Sequence, residues 1–263
     1  MDNLKLYFRY LIILLKSQLE YRISFLLLSV GQFFVPFLVF VSIFLYFQRF
    51  ESLAGWSLYE VALCYGVIHM AFSLSECFAR GFDSFSRLVV NGDFDRILVR
   101  PRDTVLQVLG SRFEFTRVGR LIQSLIVLAF SITNLQITLN IYKLITLVLM
   151  IASGVVIFTG IYMLGASMCF WTIEGLEVIN IFTDGGREMS QYPLDIYKDW
   201  VKKFFTFVIP FGTVNYLPLR FILDKTEGNP LQYMLLPVLG MLFIIPCTLV
   251  WRLGVRHYKS TGS

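Results

Sequence analysis

Asn91-Gly92-Asp93-Phe94-Asp95-Arg96-Ile97-Leu98-Val99-Arg100-Pro101 lies in a loop, Phe78 to Arg120, between the second and third of six stretches long and apolar enough to cross a bilayer. The loop carries eight arginines (Arg80, Arg87, Arg96, Arg100, Arg102, Arg112, Arg117, Arg120) against five acids (Asp83, Asp93, Asp95, Asp103, Glu114). Basic residues gather in cytoplasmic loops, so this loop is expected inside the cell. The basic end of the chain, Arg252, Arg256 and Lys259, is expected on the same side. The number of crossings between them is then even. Two stretches precede the loop, so the N-terminus is expected inside as well.

The chain has 263 residues, 56% hydrophobic and only 16% charged, with a mean hydropathy of +0.68. A helix needs roughly 20 apolar residues to cross the hydrocarbon core, so six crossings leave little chain for a soluble domain. The expected fold is an all-α integral membrane protein, one transmembrane domain over 1–263. A net charge of +5 would suggest nucleic acid in a soluble protein. Here it follows from membrane orientation, and no nucleic-acid partner is expected. Cys64, Cys77, Cys169 and Cys247 fall in or beside apolar segments without CxxC spacing, and His69 and His257 are far apart, so no metal site is expected. The first long apolar run lacks a small-residue cleavage site, and no cleaved signal peptide is expected.

Leu4, Phe8, Leu11, Leu15 and Leu19 repeat at helical spacing while Lys5, Arg9 and Lys16 point elsewhere, which predicts an amphipathic interfacial helix over 1–22. Span one is expected over Ser24–Tyr46 with a kink at Pro36, and span two over Leu58–Phe78, with Trp56 and Tyr59 as anchors at the outer interface. The cytoplasmic loop occupies 79–117. Span three, Val118–Leu135, is expected to begin as a helix near Thr104. Span four, Leu144–Phe170, is rich in small residues that allow close helix approach, and is expected at the centre. The last span, Leu231–Trp251, contains Pro237 and Pro246 and ends in a Trp251-Arg252 anchor.

Between these, hydropathy leaves two readings. Either Thr172–Lys198 is a cytoplasmic loop followed by a span at Trp200–Ile222, or Thr172–Gln191 is itself a polar span followed by an element folded back on the outside. Glu174, Glu177, Asn180, Asp184, Arg187 and Glu188 fall within roughly 140° of a helical wheel, opposite Gly175, Val178, Ile179 and Phe182. Each ionised group at a bilayer centre costs roughly 2.5 to 3.5 kcal/mol, so four carboxylates facing lipid would cost on the order of 10 kcal/mol. If the segment spans, Glu174, Glu177, Asp184 and Glu188 must line a wet path or pair with arginines. If it is a loop, they are solvated. Lys198, Lys202 and Lys203 favour the first reading by the charge rule.

No glycine among the eighteen is followed by Lys-Ser or Lys-Thr, so there is no Walker-type phosphate cradle, and no GxSxG or HExxH occurs. No residue is expected to be catalytic. In the loop, Gly92 permits a tight turn, Asp93 is placed to cap a short helix and Pro101 to end it. Phe94, Ile97 and Leu98 form an apolar stripe of the kind that fits a groove on a soluble partner.

Gly92-Asp93-Phe94-Asp95-Arg96-Ile97-Leu98-Val99-Arg100-Pro101 resembles the Gly-x-x-Asp-x-x-Leu-x-Arg-Pro signature of type-2 ABC transporter permeases. Tyr192-Pro193, Val208-Ile209-Pro210-Phe211 and Tyr216-Leu217-Pro218 resemble the same family, in its small six-span branch linked to lantibiotic, viologen and drug export. The resemblance implies a dimer with a second permease, identical or different, docked on separate ABC ATP-binding subunits that hold the ATP and Mg, with no cofactor in this chain. It implies a multi-pass protein of the cell membrane, bacterial, with both termini cytoplasmic. By position Gly92, Asp95, Leu98, Arg100 and Pro101, with Asp93 as the added cap, would form the element coupled to the ATPase. Tyr192, Pro193, Pro210 and Pro218 would belong to a re-entrant helical pair on the outer side, 192–222. The heavily charged fifth span departs from the family pattern.

The expected function is the permease subunit of an ATP-driven exporter of an amphipathic drug or peptide-like substrate. Two other classes stay open. A stand-alone proton-coupled carrier would use Glu174, Glu177, Asp184 and Glu188 as a relay. A membrane sensor or immunity component would bind a toxic peptide without moving it.

Overall fold

The computed structural model describes residues 3–135, 137–138, 140–172 and 176–259, and these form helices and no β-strand. Among the described residues five helical stretches are long and apolar enough to cross a membrane, giving an all-α integral membrane protein. α1 (Asn3–Glu20) lies against the arginine-rich loop. Gln18 uses both ends of its amide there: Nε2 donates to the Phe113 carbonyl at 2.5 Å and Oε1 accepts from the Phe115 N–H at 3.1 Å. Phe8, Ile12 and Ile13 of α1 remain exposed, an apolar face suited to lipid.

α2 (Arg22–Arg49) contains Pro36, whose carbonyl accepts from the Tyr65 hydroxyl at 2.6 Å. α3 (Leu58–Asp83) is the core of the bundle, with every side chain from Val61 to Tyr65 buried. It starts where Glu60 reaches back to accept from the Ser57 N–H at 3.0 Å, one half of a capping box. Past its end the chain winds into three short helices, α4 (Phe85–Val90), α5 (Asp93–Leu98) and α6 (Thr104–Leu109). The third span does not begin at Thr104. α6 stops at Leu109, and the next backbone donors are committed elsewhere, Glu114 to the Cys77 carbonyl at 3.3 Å and Phe115 to Gln18. α7 (Val118–Asn134) starts only after this clamp.

α8 (Ile141–Met168) begins at Asn140, whose side chain accepts from the Lys143 N–H at 2.9 Å. It is central, and its small residues make it so: Gly154 faces Ala71 of α3, and Gly160 faces Cys247 and Phe243. α9 (Leu176–Ser190) leads back through the bundle against α3 and α8. At its far end Asn215 donates to the carbonyls of Ser190 and Cys64, joining α9 to α3. At about 1.5 Å per residue a 15-residue helix covers ~22 Å. α9 is shorter and more polar than the helices suited by length and composition to cross a membrane, and Asp199–Phe207 with Gly212–Ile222 passes that test only as a bent pair.

α10 (Asp199–Phe207), a π-helical turn at Gly212–Tyr216 and α11 (Leu217–Ile222) follow, with an 88° bend between the two halves. Asp195 accepts from the Trp56 indole at 3.1 Å, and the Lys225 ammonium sits 5.0 Å from the centre of the same ring. A segment whose two ends meet one tryptophan is a hairpin. Its tip, Phe211, packs on Phe158 with ring centres 5.0 Å apart.

α12 (Pro230–Met241) and α13 (Ile244–His257) return the chain to the loop end, where Tyr258 packs on Phe94. Both expected tryptophan anchors are buried instead, Trp56 at 4% exposure and Trp251 at 0%. Each has a partner for its indole N–H, Asp195 for Trp56 and Thr104 Oγ1 at 3.1 Å for Trp251. A buried indole needs such a partner, and here both partners lie within the bundle.

Candidate coupling surface and polar cavity

Gly92 takes the left-handed backbone conformation, φ 71°, that reverses the chain between α4 and α5. It also occupies the N-cap position of α5. Asp93 is therefore not the cap. It stands in the first turn and pairs with Arg96 at 3.6 Å on the surface.

The apolar stripe divides. Phe94 is fully buried in an aromatic ring formed by Phe85, Phe170, Trp251 and Tyr258, with ring centres 4.9 to 6.2 Å away, and Ile97 is buried beside it. These two mount the helix on the protein's own core and are not free to enter a partner's groove. The reason lies in spacing: Phe94 and Ile97 share one side of a two-turn helix, and that side closes the end of α13. Leu98 at 38% and Val99 at 83% exposure face outward with Arg96, Arg100 and Pro101. Gln107 staples α6 to the mount, Nε2 donating to the carbonyls of Ile97 and Arg102, each at 3.1 Å. Asp95 lies beside Tyr258, whose phenol is raised by burial first and then by that carboxylate.

Glu76 forms the second feature. It sits with Arg80 and Asp83 at i, i+4 and i+7 on one face of α3, opposite Arg117 and Arg120 at the start of α7. Its carboxylate receives Arg80 at 3.2 Å, Arg117 at 3.2 Å and Arg120 at 2.5 Å. Glu114 completes the set, pairing with Arg117 at 3.2 Å and Arg112 at 2.7 Å, and Arg120 also reaches Gln32 of α2 at 3.0 Å. Arginines that loop composition assigns to orientation are in part internal partners of one buried acid. The signal is a carboxylate, Glu76, deep within an apolar span, where an ionisable group marks function or pairing. Glu76, Arg80, Asp83, Arg117 and Arg120 border a cavity of about 340 Å³, with Tyr162 of α8 and Asn180 and Asp184 of α9 on its other side.

Of the expected polar face, Glu174 lies outside the described residues and Glu177 lies on α9. Asp184 and Glu188 both pair with Arg187, at 3.2 and 2.6 Å, and the Arg187 guanidinium stacks over Phe72 at 4.9 Å. Gly186 lets α9 approach Phe211 so closely that a Cβ would stand 2.6 Å from the ring. Glu188 also accepts from Gln191, which in turn contacts His69 at 3.1 Å.

At the opposite end Tyr192 lines a cavity with Ser42, Tyr46 and Ile196, and Pro193 starts the turn that presents Asp195. Pro210 lies at the hairpin tip, and Pro218 stands at the start of α11, buried. These four residues are thus spread along the hairpin and its approach rather than gathered in one site.

A family model described as ABC-2 family transporter protein matches residues 33–262. No curated protein and no solved structure matches the chain.

Proposed function

The chain belongs to the family of ABC-2 transporter proteins, and from that premise we propose that it is the transmembrane permease subunit of an ATP-driven exporter of an amphipathic, drug-like or peptide-like substrate. Family membership makes it a multi-pass membrane component of an ABC transporter, a system with an ATPase partner. On this reading the end carrying α5 faces the cytoplasm and the hairpin end faces outward. Two permeases, identical or different, flank the transport path, while ATP and Mg belong to the partner. No residue of this chain need be catalytic, because coupling is mechanical.

The observation that carries the reading is the division of labour in α5. Gly92 sets its turn, Asp95 faces the chain's end, and Phe94 and Ile97 root it in the core, while Leu98, Val99, Arg100 and Pro101 stand exposed. An exposed apolar and cationic face on a rigid mount suits transmission of a partner's movement to α3 and α13. Affinity purification from the native membrane tests it. A stoichiometric ATP-binding subunit with vanadate-sensitive activity is expected, and the double variant Val99→Asp, Arg100→Glu is expected to insert normally but lose that subunit. Recovery of the chain with no ATPase under gentle extraction would sink the reading.

A further inference from the structure

We infer that the cavity between α3, α7, α8 and α9 binds the zwitterionic headgroup of an amphiphile, with its anionic oxygens on Arg117, Arg120 and Tyr162 and its amine on Asp83 and Asp184. Three donors bordering this cavity, the Nε–H of Arg117, the Nε–H of Arg120 and the hydroxyl of Tyr162, have no acceptor among the described residues. Arg120 and Tyr162 are more than nine-tenths buried. Leaving such donors unmatched costs free energy, most of all for charged groups, so an acceptor there is favoured. Two of the three are guanidinium, which selects phosphate or carboxylate oxygens.

A simple anion is disfavoured. Three carboxylates (Glu76, Asp83, Asp184) border the cavity along with three guanidiniums (Arg80, Arg117, Arg120), so its formal charge is balanced. Glu76 is consumed by its arginines, whereas Asp83, 20% exposed, pairs with Arg80 at 3.2 Å through Oδ2 and Asp184, 57% exposed, pairs with Arg187 at 3.2 Å through Oδ1, each carboxylate keeping a second oxygen outside that pair. The acids with room for a ligand cation therefore differ from the groups that seek an anion.

Depth argues for a headgroup. Counting ~1.5 Å per residue along α3, Glu76 lies about 27 Å and Asp83 about 38 Å from Leu58. The hydrocarbon core is ~30 Å thick, so the cavity straddles its edge. Ile181, one turn from Asp184 on α9 and 68% exposed, offers an apolar surface beside the mouth for a chain. The site concerns binding alone, and it holds for a carried amphiphile and for a retained one.

The test uses the purified full chain without any ATPase, so that it is independent of the exporter reading. Dioleoylphosphatidylethanolamine, dioleoylphosphatidylglycerol and tail-free glycerophosphoethanolamine are titrated by native mass spectrometry. Preferential retention of the ethanolamine lipid over the glycerol lipid is expected. Tyr162→Phe, which removes one hydroxyl and preserves packing, should weaken it about fivefold, and Asp184→Asn should erase the preference for the amine. Binding of glycerophosphoethanolamine as tight as the lipid would support the headgroup chemistry with a soluble source. Equal retention of both lipids by the unaltered protein would overturn the proposal. So would Tyr162→Phe and Asp184→Asn variants that melt and bind as the unaltered protein does.

Discussion

Trp56 and Asp195 stand 139 positions apart in sequence and meet through an indole N–H donated to the carboxylate at 3.1 Å. Tyr216 at 2.6 Å and Lys202 at 3.0 Å donate to the other oxygen, so one acid fastens both arms of the hairpin to the bundle. Burial by itself raises the Asp195 pKa, but the bonds from Tyr216, Lys202 and Trp56 outweigh it and hold the carboxyl below its ordinary value. A carboxyl lowered by folding contributes stability that is complete above its unfolded pKa, about 3.9, and is lost as pH falls through the folded one. The hairpin is expected to be fully fastened at neutral pH and to loosen below about pH 4. Asp195→Asn should cost about 1–3 kcal/mol at pH 7 and blunt the acid sensitivity, read as melting midpoints from pH 7 to pH 2. An Asn variant with undiminished acid sensitivity would assign that sensitivity to another group.

Glu76 carries a different kind of stake, because its one carboxylate contacts Arg80, Arg117 and Arg120 together. Removing one partner from a buried ion cluster leaves the others uncompensated, at about 3–5 kcal/mol. Glu76→Ala is expected to give little folded protein. Glu76→Gln keeps the shape and an acceptor and should fall between Ala and the native acid in thermal stability. A Glu76→Ala protein that melts with the native one would show that solvent, not Glu76, balances the arginines.

The sequence makes the helical spans legible because a bilayer demands long apolar runs, and α2, α3, α7 and α8 lie within a few residues of where hydropathy sets them. It leaves α9 ambiguous for a physical reason. A helix carrying Asp184, Arg187 and Glu188 looks like a loop until Arg187 is seen to pair with both acids and stack on Phe72. The signature at 91–101 marks α5, but periodicity alone did not reveal that Phe94 and Ile97 turn inward, since two turns of helix offer too few positions to tell a mount from a contact face. The Glu76 cluster joins residues more than forty positions apart, a pairing no local pattern encodes.

Gly81 is the point where α3 touches α6, and a Cβ there would stand 1.8 Å from the Val108 carbonyl. The backbone must move to admit it, so Gly81→Ala should cost on the order of 1–3 kcal/mol and shift α6 with the Gln107 staple. Gly31 in α2 has nothing within 4 Å of the equivalent position. Gly31→Ala should be neutral or stabilise by about 0.5–1 kcal/mol through helix propensity. Equal melting points for the two variants would mean that the α3–α6 contact is not tight in the membrane.

Phe94 and Val99 separate anchoring from contact within one short stretch. Phe94, at 0% exposure among four aromatic rings, should cost about 3–5 kcal/mol when cut to alanine, because the cavity it leaves is walled by rings held from α4 and α13. Val99, at 83% exposure, should change stability by less than about 0.5 kcal/mol when replaced by aspartate. If α5 is the element coupled to the ATPase, coupling is expected to be lost in both, but for different reasons. Phe94→Ala fails because α5 no longer moves with α3 and α13, so the purified variant melts early and still exposes the face. Val99→Asp fails because the face itself no longer fits, so the variant melts normally and loses the partner. Thermal scanning of each variant beside a pull-down of the ATP-binding subunit separates the two. A Val99→Asp protein that keeps both its melting point and its partner would move the contact off this face.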